Sequence, residues 1–337
     1  MSIQAGDLES HVAPALGEAE GEADSKVAGR SPTQLAVARF RKDRLSMVAL
    51  GICAVYVVAA IAAPFLVKFD VLEPLKYNQR LLDVAMGGIP EGTLGGINAD
   101  HPLGVEPGTG RDVLSRLMLG MTWSLGIALS GVMITMTIGA VMGIVSGMAG
   151  GFVDATVGRL IDLTLSFPQT LMLLALSGGM ILFLTESVGI GNRDLANAIY
   201  VVGILGAFGW PPVARVVRGQ VLSLREREYV DAARLFGASR RRLYFKEILP
   251  NLWAPLLVYF TLLLPAYVSA EAAFNFLGVG VKPPTPTLGN ILRDSVTYMQ
   301  ADFFFFFIPG LVLAIIVVSF NLLGDGIRDA LDPKSSR

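Results

Sequence analysis

Six long apolar runs divide this chain, at about 46–67, 121–148, 163–184, 198–217, 252–274 and 303–323. A helix needs roughly 20 such residues to cross a bilayer core. Six of them in one chain leave the bilayer as the solvent. Composition agrees, with 53% hydrophobic and only 16% charged residues among 337, where a soluble domain carries about a quarter charged. The expected fold is an all-α integral membrane protein of six transmembrane helices.

Orientation follows from the basic residues, which favour the cytoplasmic side of the spans they flank. Placing both termini inside gives the cytoplasmic segments 19 of the 27 Lys and Arg residues. Residues 1–34 are rich in Ala, Gly, Ser and acids (Glu18, Glu20, Glu22, Asp24), so they are expected to be a disordered cytoplasmic tail. Their acidic start is unlike a secretory signal, which begins basic and turns apolar. Residues 35–69 form a basic lead-in (Arg39, Arg41, Lys42, Arg44) and the first span. Residues 70–120 form a Gly- and Pro-rich external excursion, closed by a short amphipathic helix over 112–119 lying at the outer face. Residues 121–325 form a five-helix core, and 326–337 a cytoplasmic tail after Gly324 and Gly326 end the last span.

Several chemistries are excluded. Cys53 is the single cysteine and lies in the first run, so no disulfide framework or thiolate cluster exists. His11 and His101 lack ligand spacing, and no metal site is expected. A net charge of −1 gives no field for nucleic acid. The chain has no G-x-x-x-x-G-K-[ST] loop to cradle nucleotide phosphates.

Within the spans, Gly139, Gly143 and Gly147 repeat every fourth residue, a stripe that lets helices approach closely in lipid. Pro168 and the Pro211-Pro212 pair are expected to kink the third and fourth spans. Phe303 to Phe307 suit an interfacial aromatic anchor, and Pro283-Pro284-Thr285-Pro286 a stiff extended ledge. Glu271 falls near the outer end of the fifth run. A carboxylate in lipid costs about 2.5–3.5 kcal/mol, so Glu271 either lines or gates a path, or snorkels to the outer surface.

The segment 218–250 between the fourth and fifth runs is far longer and more charged than a hairpin needs. Glu226 to Phe236 holds good helix formers, Gly237 is a natural stop, and Ser239 suits the cap of a second helix ending before Pro250. Ala233 and Gly237, four apart, are expected to share one small face for close approach.

The arrangement Glu228, Asp231-Ala232-Ala233, Gly237 and Ile248-Leu249-Pro250 resembles the cytoplasmic coupling loop of ABC importer permeases, with Asp231 where that family usually has Glu. Further blocks resemble the C-type subunit of the oligopeptide and dipeptide (peptide/nickel) branch. They are Arg39-Phe40-Arg41-Lys42-Asp43-Arg44-Leu45, His101-Pro102-Leu103-Gly104 with Gly110-Arg111-Asp112, Phe276-Leu277-Gly278-Val279-Gly280 with Lys282-Pro283-Pro284, and Asn321-Leu322-Leu323-Gly324-Asp325-Gly326. The resemblance implies a type I importer permease fold in a bacterial or archaeal inner membrane. It implies partners as well: a homologous permease, two ATP-binding cassette subunits, an extracytoplasmic solute-binding protein, and lipid. ATP and Mg would sit on those partners, and this chain would hold no cofactor and catalyse nothing. Short peptides are the implied solute; a nickel complex, glutathione or an oligosaccharide is the alternative. A channel leaves the coupling-type loop unexplained, and a membrane enzyme lacks a catalytic cluster at one membrane depth.

Overall fold

A computed structural model describes residues 32–92 and 94–331. The expected tail, and the last residues from Asp332, therefore lie largely outside the described residues. Helix α1 (Pro32–Lys42) begins inside the range assigned to that tail, and Asp43 then caps α2 (Arg44–Lys68) by accepting from the amides of Leu45 and Ser46. An irregular segment follows, containing a two-residue hairpin, β1 (Leu82–Asp83) against β2 (Ile89–Pro90).

The rest is helical. α3 spans Val113–Ala149, α4 Gly151–Ser166, α5 Gln169–Leu182, α6 Arg193–Leu224 and α7 Glu228–Leu235. A three-residue α8 (Arg240–Arg242) opens a winding that leads into α9 (Trp253–Phe276), followed by α10 (Leu288–Tyr298) and α11 (Phe303–Leu331). Among the described residues, six helices are long and apolar enough to cross a membrane.

Four boundaries differ from expectation. The helix over 112–119 does not lie flat at a surface. It forms the first turns of α3, because Asp112 caps the helix on the Ser115 amide and Val113, Arg116 and Leu117 are all buried. The third span does not kink; it breaks. Pro168 has no amide hydrogen and holds Phe167 extended, so α4 stops at Ser166 and α5 starts afresh at Gln169. α11 runs past Gly324 and Gly326 to Leu331. Those glycines do not end it but seat it: a Cβ on Gly324 would lie 3.1 Å from Thr261 Oγ1, and one on Gly326 would strike Ser46. The run 283–286 is a turn with a cis Pro283–Pro284 bond, not an extended ledge, and Pro284 O accepts from Arg116 Nη1 at 3.3 Å.

The core sits along α3. Gly139, Gly143 and Gly147 press on Val213, Val217 and Val221 of α6, so the stripe packs within the subunit. Thr135 Oγ1 meets Tyr267 Oη of α9 at 2.7 Å and donates to Leu205 O of α6 at 3.2 Å. α6 continues unbroken through Pro211 and Pro212.

One end of the bundle is capped by the segment 70–112. There Arg111 Nε donates to Glu106 Oε2 at 2.6 Å while Arg116, 1% exposed, stands 3.6 Å from the same oxygen. His101 Nδ1 and Asp112 Oδ1 pair at 2.9 Å. The other end carries α1, the start of α9, the end of α11 and the segment around α7.

Candidate functional site

Between α6 and α9 the chain leaves the bundle and returns, and the geometry of that excursion is built from its sequence. α7 starts at Glu228, with Glu228 and Asp231 in its first turn and Arg234 in its last, charges that complement the helix dipole. It stops at Gly237. The Gly237 amide donates to Arg234 O at 2.9 Å and the Ala238 amide to Ala233 O at 3.0 Å, with Gly237 at φ +75°. This is a Schellman closure, which favours glycine at the left-handed position.

Ser239 then accepts from the Arg242 amide, as its sequence suggests. The helix it opens does not end before Pro250. It widens to π-type winding over Leu243–Ile248, narrows to 3-10 winding over Leu249–Leu252, and runs on as α9. Pro250 falls at the first turn of the narrow stretch, where a missing amide hydrogen is tolerated. The second arm is thus one rod from Arg240 to Phe276.

α7 is rooted by one residue. Val230, 0% exposed, belongs to one buried cluster with Leu243, Ile248 and Leu252 of the second arm and Ile144, Val213, Val217 and Val221 of the bundle. Ala233 and Ala238 pack against the same cluster. The shared small face expected of Ala233 and Gly237 does not form: Ala233 turns toward the subunit's own core, and Gly237 lies past the helix end with open space at its Cβ position. Ala232 and Leu249 are half-buried, Ile248 is buried, and Pro250 is exposed. Asp231 pairs with Arg234 Nη1 at 3.0 Å on the outer side.

Sequence reasoning missed the apolar tip. Leu235 and Phe236 are 89% and 91% exposed, with Phe245 also exposed nearby in the chain. The signal was legible as a bulky apolar pair set directly before a helix-stopping glycine in a charged segment.

Ionic struts brace the base of this excursion. Arg218 of α6 donates through Nε and Nη2 to the two oxygens of Asp154 on α4, at 2.5 and 2.6 Å, and Ser146 of α3 donates to the same carboxylate. These bonds hold the Asp154 carboxyl down at about 2, the Arg218 bond being the largest cause. Arg225 Nη1 donates to Gly147 O at 3.0 Å.

Glu271 lies far from this end. It is 0% exposed, so it does not snorkel to the surface. Asn275 Nδ2 donates to its Oε1, the hydroxyls of Ser124 and Thr287 lie beside the carboxyl, and Oε2 has no hydrogen-bond partner among the described residues.

A six-span bundle that extends a short, rooted helix beyond one end is the architecture of a multi-pass membrane protein. Residues 137–337 match the family model of the binding-protein-dependent transport system inner membrane component, and residues 31–82 match the N-terminal transmembrane domain of oligopeptide transport permease C. The dipeptide transport system permease protein DppC of Haemophilus influenzae is 34% identical over 91% of this chain and 96% of its own length. The oligopeptide transport system permease protein OppC of Mycobacterium tuberculosis is 33% identical over 89% of this chain and 94% of its own. A chain of the inward-facing MetNI methionine ABC transporter overlaps at a TM-score of 0.48 and 20% identity, covering 65% of this chain and 97% of that one. The chain belongs to the binding-protein-dependent inner-membrane permease family and is the permease subunit of an ABC importer. Membership places it in the inner membrane, in a system that includes a binding protein and an ATPase.

Proposed function

We propose that this permease forms half of a path for short peptides, paired with a homologous permease, two ATP-binding subunits and an external binding protein. Both termini and α7 then face the cytoplasm, and ATP and Mg reside on the ATP-binding subunits. The observation that carries the reading is the lever: α7 presents Leu235, Phe236 and an acid–base edge outward while Val230 locks it to α3, α6 and the continuous second arm. Movement of a partner gripping that tip is transmitted to helices rather than absorbed by a loop. Such a lever switches a bistable bundle between two openings without any catalytic side chain on this chain.

The peptide assignment is supported by the names of the dipeptide and oligopeptide relatives. Glu271 belongs to the outer gate in this reading, since the end it occupies opens only if α3, α9 and α10 separate around it.

The test is retention of the ATPase. Phe236→Glu is expected to abolish co-purification of the ATP-binding subunits and uptake, while the homologous permease stays bound. Full ATPase retention by both Phe236→Glu and Leu235→Asp would remove α7 as the docking element.

A further inference from the structure

We propose that the groove between α1, α2, α9 and α11 is a binding site for one anionic phospholipid, whose acyl chain lies in the groove and whose phosphate meets the bases on its rim. The groove has a volume of about 540 Å³, and Val37, Phe40, Leu50, Trp253 and Leu257 line it together with Arg41. It lies at the α7 end of the bundle, because the start of α9 and the end of α11 both form its walls.

Charge and continuity select the occupant. Arg41, which lines the groove, and Arg44, one turn before the lining Met47, are exposed at the junction of α1 and α2, and neither has an ion-pair partner among the described residues. The one acid among them, Asp43, is occupied as the cap of α2. Asp325 and Asp329 lie two residues from Ile327 and Leu331, which line the groove, and so fall on the far side of α11. The rim is therefore basic. A free anion alone gives no use for the apolar walls, and an apolar peptide none for the bases. The groove also continues onto the exposed apolar surface of α2, where Val48, Val55 and Val58 stand out to the bilayer. Trp253 at its wall suits the interface, where one face of an indole is apolar and its N–H is wet. Basic pockets between spans are where anionic headgroups bind, each base near the surface adding about fivefold in affinity.

The experiment is native mass spectrometry of the full chain, purified with its partner subunits, after incubation with phosphatidylglycerol, phosphatidylcholine of the same acyl chains, or glycerol 3-phosphate. Phosphatidylglycerol alone should be retained. Replacing Arg41 and Arg44 together by Gln should lower its retention on the order of twentyfold. Leu257→Trp, which fills the groove and leaves the charge unchanged, should lower it too, while Val84→Trp, exposed in the hairpin segment at the other end of the bundle, should not. The glutamine variant alters only exposed side chains, so it stays informative if Leu257→Trp melts early. Equal retention of the two phospholipids, retention of glycerol 3-phosphate alone, or retention that appears only after deletion of residues 1–30 would each overturn the proposal.

Discussion

Gly143→Ala tests how tightly α3 and α6 are joined. A Cβ at that position would stand 2.6 Å from Val217 Cβ and 2.7 Å from Ala214 O, whereas ordinary contact begins at 3.4 Å. Neither neighbour is the free end of a flexible side chain: one is the branch point of a valine and the other is backbone. The two helices must therefore part locally by roughly 0.8 Å, and overpacking of this kind costs about 1–3 kcal/mol. Gly126 is the internal control, because its Cβ position on the same helix meets nothing within 4 Å. There, alanine should stabilise the helix by about 0.5–1 kcal/mol through propensity alone. Thermal unfolding of the two variants in lipid nanodiscs should thus move in opposite directions. Uptake should fall for Gly143→Ala, since the same seam ends at Gly147, whose carbonyl holds Arg225 at the root of the lever. A melting temperature for Gly143→Ala at or above that of the parent would refute the seam.

Other outcomes follow from the site. Asp154 titrates at about 2 against an ordinary 3.8, so its strut contributes fully above about pH 4 and is lost as pH falls toward 2. Asp154→Asn should cost about 1 kcal/mol at neutral pH, given the screening of a partly exposed pair, and should flatten the acid limb of a melting-temperature profile. Glu271→Gln should leave thermal stability and subunit assembly intact and reduce uptake; unchanged uptake would dispose of the gate. Leu235→Cys, in a chain whose native Cys53 is buried, should react with an impermeant maleimide from the cytoplasmic face alone once the ATP-binding subunits are stripped away, and labelling from outside would invert the topology.

The spans were legible because apolar run length is set by the bilayer, a constraint written along the chain. The helix stop at Gly237 and the cap at Ser239 were legible for a similar reason, since both depend on neighbouring backbone groups. What sequence hid was direction. Ala233 reads as a small docking face, yet it turns inward because Val230, three residues before, must reach the cluster around Val221. Gly324 and Gly326 read as terminators, but they seat α11 against Thr261 and Ser46, neighbours distant in sequence. Pro250 reads as a stop and is carried inside a rod whose winding changes around it. Glu271 showed its depth but not its surroundings, because Ser124 and Thr287 come from other helices.

α5 touches its neighbours along a narrow strip. Leu173 is buried and its carbonyl accepts from Tyr200 Oη at 2.6 Å, while Leu171, Leu176, Leu182 and Phe183 stand exposed around the rest of the helix. In a bilayer those side chains meet either acyl tails or a second protein. A purified single subunit would therefore report, in any melting or exchange measurement, the solvent chosen for α5 as much as the strength of its own packing.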